Sequence, residues 1–275
     1  MNKSKKATII IGILLILVGS LSLSPKYRAF VIMSLVSWDE KTHDDQNLAL
    51  KIPTRGSGLD WFPLMIEYTD KGGYSQSTGQ DARLTIYYTF GDYQSDIGRS
   101  CSTIFDFKSE YYSSFYGGYI LKGTGSDFSD QPEMISTVPA YDYQNLILRD
   151  LGCEQNRIQF SYEIIQDREN VNYMGYEGWH VYDLKIQTLG LYHQAQKNLR
   201  HYVQFGSPIE LNTEIALSGF EPIELYGRVY ARYFEAEDSE VMMYVLTRDL
   251  ELLNETDNQY LSQSEIILKT HQNTK

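Results

Sequence analysis

The stretch of the chain from Ile158 to Thr247 constrains the fold most. It carries five strand-like runs: Ile158 to Gln166, Trp179 to Thr188, Leu199 to Phe205, Glu224 to Glu235 and Glu240 to Thr247. Each is dense in aromatic and β-branched residues and lacks the three-to-four-residue apolar spacing of a surface helix. Extended segments have to pair, because unpaired backbone groups are costly to bury. The last two runs are separated by Ala236 to Ser239, a short acidic turn that makes them a hairpin. Upstream, Leu48 to Pro53, Leu59 to Tyr68 and Ala82 to Phe90 have the same character, and the last two read as antiparallel neighbours.

Two stretches break this pattern. In Ala140 to Leu151, residues Tyr143, Leu146, Ile147 and Leu151 recur at helical spacing, with Pro139 before and Gly152 after as start and stop signals. Asp249 is placed to cap a final helix running through Leu250, Leu253 and Leu261, and Lys269 to Lys275 is a polar tail. The expected class is α+β: an antiparallel, strand-rich sheet with two helices on one face, preceded by an N-terminal transmembrane helix. We assign residues 1–38 to a membrane anchor or signal segment, 39–47 to a polar linker and 48–268 to an extracytoplasmic domain, with 48–135 and 136–268 as possible subdomains.

The N-terminal assignment rests on Lys3, Lys5 and Lys6 followed by the uncharged run Ala7 to Leu23, seventeen residues and just long enough to span a bilayer. Ser20 to Ser24 offers small residues for signal-peptide cleavage, so secretion after cleavage is the competing outcome. A second apolar segment, Ala29 to Trp38, lies beside Lys26 and Arg28. Cleavage would leave it as an exposed N-terminus, so an uncleaved anchor with the lysines inside and the domain outside fits better. A cytoplasmic domain on a reversed anchor is the opposite orientation.

Five of the 24 basic residues precede Asp39, whereas all 36 acidic residues follow Trp38; the remaining 19 bases against 36 acids leave a domain charge of −17. Such a surface repels phosphate backbones, which argues against nucleic acid as a partner and leaves cations, neutral glycans or a basic protein. The 23 tyrosines suit half-buried strands and wet binding faces alike.

The Gly-, Ser- and Tyr-rich stretch from Gly91 to Asp130 is the least regular, and a long irregular segment in a compact domain is usually functional. Its rings Tyr111, Tyr112, Phe115, Tyr116 and Tyr119, with Trp179 from the GYEGW cluster, are the candidate ligand-binding set; the bland alternatives are a packed excursion with a short strand at Tyr119 to Lys122, and a tight turn whose Trp179 plugs the core. Cys101 and Cys153 are the candidate disulfide, closing a 52-residue loop worth about 4 kcal/mol on the chain-entropy model. Two buried free thiols are the alternative.

No resident cofactor is expected. Calcium at Asp127, Asp130 and Glu133 is a minor possibility, since those acids are closely spaced but do not form the twelve-residue calcium loop. His180, Asp183 and His201 are the most metal-like set, although Asp183 has the wrong strand parity to join His180. Nucleophile-elbow, SxxK, HExxH, CxxC and Walker-type signatures are absent. The expectation is therefore a membrane-anchored extracytoplasmic binding or scaffold domain recognising a partner protein or envelope glycan without catalysis. A cell-envelope hydrolase acting on glycan or peptide is the alternative.

Overall fold

The computed structural model describes residues 48–51, 65–69, 72–79, 81–89, 107–123, 153–191, 220–259 and 261–268, together with 12, 16, 19, 139–141, 143, 144 and 148. Among these described residues nine strands follow in chain order: β1 (Leu48–Lys51), β2 (Met65–Thr69), β3 (Arg83–Thr89), β4 (Phe115–Lys122), β5 (Phe160–Tyr173), β6 (Tyr176–Leu189), β7 (Pro222–Phe234), β8 (Ser239–Thr247) and β9 (Glu265–Leu268). Among the described residues the α-helices delimited at both ends are α1 (Gly73–Thr78) and α2 (Leu250–Gln259). The protein is thus mostly antiparallel sheet with few helices.

The centre of the sheet is β8. Its core, VMMYVL, is a continuous apolar run, and every residue from Ser239 to Thr247 is buried, which is what a strand covered on both faces and both edges requires. Around it the seven-stranded sheet runs β2-β3-β4-β8-β7-β6-β5, each neighbouring pair antiparallel. The pairing of β4 with β8 joins the strands of both halves of the chain in one sheet. At that seam Gly117 lies opposite Tyr244. The Tyr244 ring stacks on Tyr119 with centroids 4.8 Å apart, a contact eased by the missing side chain at Gly117.

The expected β7–β8 hairpin forms with its turn at Glu235–Glu237, and Asp238 at φ 45° completes it in the left-handed region that Asp tolerates better than most residues. The β5–β6 hairpin turns at Met174 and Gly175, with φ 53° and 80°. There Trp179 is fully buried, so the GYEGW cluster is the tight turn with a core plug.

Strand parity separates the two faces. Trp179, Val181 and Asp183 share one face of β6, and His180, Tyr182, Leu184 and Ile186 the other. Helix α2 lies on the Asp183 face, where its Asp257 meets Arg228 and Tyr230 of β7. The residues described between 139 and 148 are helical, as the spacing predicts. Their Tyr143 meets Phe160, 6.0 Å between ring centroids, and Phe160 pairs with Thr188 on the Tyr182 face. The two helical segments therefore sit on opposite faces rather than on one. The apolar stripe of a helix does not say which of two equally apolar sheet faces it will cover.

Four further differences concern single elements. The expected strand at Tyr119 begins earlier, at Phe115, because Gly117 and Gly118 sit in a central strand where both flanks are paired. Strand β5 runs past Gln166 to Tyr173: it is the outermost strand of the sheet order, so its charged Asp167 and Glu169 stay exposed while Arg168 turns in toward Asp183, and register shifts interrupt its pairing. Gly72 to Gly79 encloses the short α1, bounded by glycines at φ 100° and 74°, although Gly72-Gly73 and Ser75 to Gly79, between two expected strands, read in the sequence as their connecting loop. Its fully buried Tyr74 packs edge-on against Tyr141, 5.4 Å between centroids. Finally, Glu265–Leu268, to which the sequence assigns no element between the last helix and the polar tail, is a strand pairing with β1, so that Leu48 lies opposite Leu268.

The expected strand at Leu199 to Phe205 lies outside the described residues, as does the N-terminal apolar segment except for the helical positions Gly12, Ile16 and Gly19. Among the described residues no helix is long and apolar enough to cross a membrane.

One glycine is required by contact. A Cβ on Gly190 would lie 2.2 Å from the Tyr112 hydroxyl oxygen and 2.7 Å from its Cζ. Tyr112 is buried and cannot swing aside freely. Gly190→Ala is expected to lower stability by about 1–3 kcal/mol through overpacking. In urea melts of Gly190→Ala, Tyr112→Ala and the double variant, the double should lose less than the sum of the singles. Additive losses would place the strain elsewhere.

Candidate functional site

Two places in the described structure concentrate charged side chains, and both involve α2. The first is a network that fastens the helix to the sheet. Asp183 of β6 and Arg228 of β7 are cross-strand partners, and the Arg228 guanidinium donates to both Asp183 carboxylate oxygens, at 2.6 and 3.1 Å. Arg168 of β5 donates to the same carboxylate at 3.1 Å. On its other side Arg228 donates to Asp257 of α2 at 2.9 Å. Asp257 also receives the hydroxyls of Tyr173 at 2.8 Å and Tyr230 at 2.5 Å. The two tyrosine rings stack, centroids 3.8 Å apart, with Trp179 edge-on to both.

Asp257 is only 4 % exposed. A carboxylate so buried is tolerable only when paired and hydrogen-bonded, and here two arginines balance two aspartates. Burial opposes the Arg228 charge, yet the hydrogen bonds to Asp183 and Asp257 hold its pKa above the ordinary value. Burial, then the Asp257 charge, pushes the Tyr173 and Tyr230 hydroxyls up. These groups already have close partners, so the network is an anchorage for α2.

The second place is a hollow of about 550 Å³ where the 107–112 segment faces the start of α2, lined by Glu110, Arg248, Asp249, Glu251, Leu252 and Glu255. Its shape follows from the helix start. Asp249 caps α2 as the sequence predicts, its Oδ1 accepting the backbone N–H groups of Glu251 at 2.7 Å and Leu252 at 3.2 Å. That cap turns Glu251 and Glu255, one helical turn apart, into the hollow, while Leu253 goes to the core and the buried Leu252 lines the hollow beside them. Arg248 is tied to the opposite wall, donating to the Phe107 carbonyl at 3.2 Å and standing 5.6 Å above the Tyr112 ring. Four carboxylates and one braced guanidinium thus meet in an open cavity. Asp249→Ala should cost about 1 kcal/mol through loss of the cap. Denaturant melts would show it as a lower midpoint with the slope unchanged; an unmoved midpoint would mean the helix start is held by other contacts.

The aromatic candidates divide differently from the expectation. Tyr112, Tyr116, Tyr119 and Trp179 are buried in the core, which removes them from a solvent-facing stacking platform. Tyr111 is partly buried against that core, and the Phe115 side chain lies outside what the structure describes. A tyrosine on a strand covered on both faces has nowhere to point but inward. What the Gly91 to Asp130 stretch does bring to the hollow is Glu110, with Arg248 resting on Tyr112 behind it. The acids Glu251 and Glu255 were not singled out from sequence; their spacing beside a cap residue is the signal that was there to use.

The metal-like trio does not assemble: Asp183 is held by the two arginines on one face, and His180 faces Asp167 across β5–β6 on the other, stacked on Tyr182 at 4.3 Å. His201 lies outside the described residues, as do Asp127, Asp130 and Glu133. Among the described residues no group of three or more His, Cys, Asp and Glu side chains is placed to hold a metal. Cys153 is a buried thiol 3.8 Å from the Glu154 carbonyl, its pKa raised by burial; Cys101 lies outside the described residues. The chain matches no family model, no curated protein and no solved structure.

Proposed function

We propose that the chain is a membrane-anchored, extracytoplasmic binding or scaffold domain that recognises a partner protein or an envelope glycan without chemistry. The observation that carries the reading is the hollow at the start of α2, where Glu110, Glu251 and Glu255 face Arg248 on walls held firm by the Asp249 cap and the Asp257 network. Convergent polar groups on a rigid wall are what specific recognition needs. The domain charge of −17 favours a neutral glycan or a basic protein segment over nucleic acid. The lysine-flanked run from Ala7 to Leu23 supports the location. Leu48, the first residue after the linker, is buried and paired to Leu268, so a tether would join the domain at a fixed point.

The test is recovery of partners by the tagged full-length chain from membranes, compared with an Arg248→Glu, Glu251→Lys variant whose circular dichroism shows it folded. We expect at least a roughly tenfold loss of the partner, about 1.4 kcal/mol per factor of ten. Equal recovery by the folded variant would dismiss the hollow. A mature chain beginning near Pro25 and found free of membranes would dismiss the anchor while leaving the hollow standing.

A second reading, a cell-envelope hydrolase acting on glycan or peptide, draws on the same carboxylates, since two acids flanking a bond suffice for glycoside hydrolysis. Its sign would be new reducing ends or amines released from envelope material by the purified protein and lost in Glu110→Gln or Glu251→Gln. That result would displace the binding reading.

A further inference from the structure

We draw no further inference here: the strongest candidate, the acid-lined hollow between the 107–112 segment and the N-terminus of α2, belongs to the site already described, and an acidic cluster at a helix start does not by itself name a ligand.

Discussion

Asp257→Ala is expected to lower the stability of the protein by about 3–5 kcal/mol, the usual cost of breaking a buried ion pair from one side. The loss comes from what remains. Arg228 keeps Asp183 but loses its bond to α2, and the hydroxyls of Tyr173 and Tyr230 are left beneath the helix without their acceptor. Unsatisfied buried donors cost about 1–3 kcal/mol each, which alone reaches the expected range. In a domain of this size the melting temperature should fall by roughly 2–4 °C for each kcal/mol.

The partner experiment is Arg228→Ala, which leaves Asp183 with Arg168 alone and Asp257 with the two tyrosine hydroxyls and no countercharge among its described partners; the double variant should be less destabilised than the two singles added. Additivity would show that the carboxylate and the guanidinium act separately, against the network described. Because α2 also forms one wall of the hollow, Asp257→Ala should weaken partner recovery as well, even under conditions where the sheet remains folded.

Alkaline unfolding is the second large effect expected. Burial lifts the hydroxyl of Tyr74 to about 12. Burial also raises those of Tyr143, Tyr173 and Tyr230, with the charge of Asp257 adding to the last two. In the unfolded chain all four ionise near pH 10. Below that pH both states hold the protons and the contribution is constant. Above it only the folded state still holds them, so stability falls as pH rises, by about 1.4 kcal/mol per pH unit for each tyrosine.

Four such groups remove roughly 5 kcal/mol per unit above pH 10, and a marginal stability of about 5–15 kcal/mol is then exhausted within one to three units. Phenolate absorbance and loss of near-ultraviolet circular dichroism should therefore rise together in one cooperative step between about pH 11 and pH 13. Gradual titration of every tyrosine near pH 10 with the fold intact would contradict the burial of these rings.

How legible this was in the sequence depended on the range of the interaction. Asp249, the β7–β8 hairpin and the strands β6, β7 and β8 were readable because each is decided within a few residues: a side chain bonding its own helix start, a turn closing adjacent strands, a dense run of aromatic and β-branched residues. Strand β5 was readable only to Gln166, since the charged residues beyond it break the alternation that a half-buried strand would keep. Strand β9 was missed because its partner β1 lies more than two hundred residues away. The burial of Tyr112, Tyr116, Tyr119 and Trp179 was illegible for a related reason: a tyrosine reads the same in sequence whether its ring faces water or, as Tyr119 does, the stacked interior.

By itself the sequence determined an antiparallel, strand-rich domain of net charge −17 behind a lysine-flanked apolar run, because charge, periodicity and capping are local properties. The tertiary structure alone decided the order of the strands, the burial of the tyrosines and the placing of Asp257 on Arg228, and with them the hollow beside α2. Those depend on which distant segments pair and which face a helix covers. Such choices are made by the summed burial of the whole chain and leave no mark on any one stretch of it.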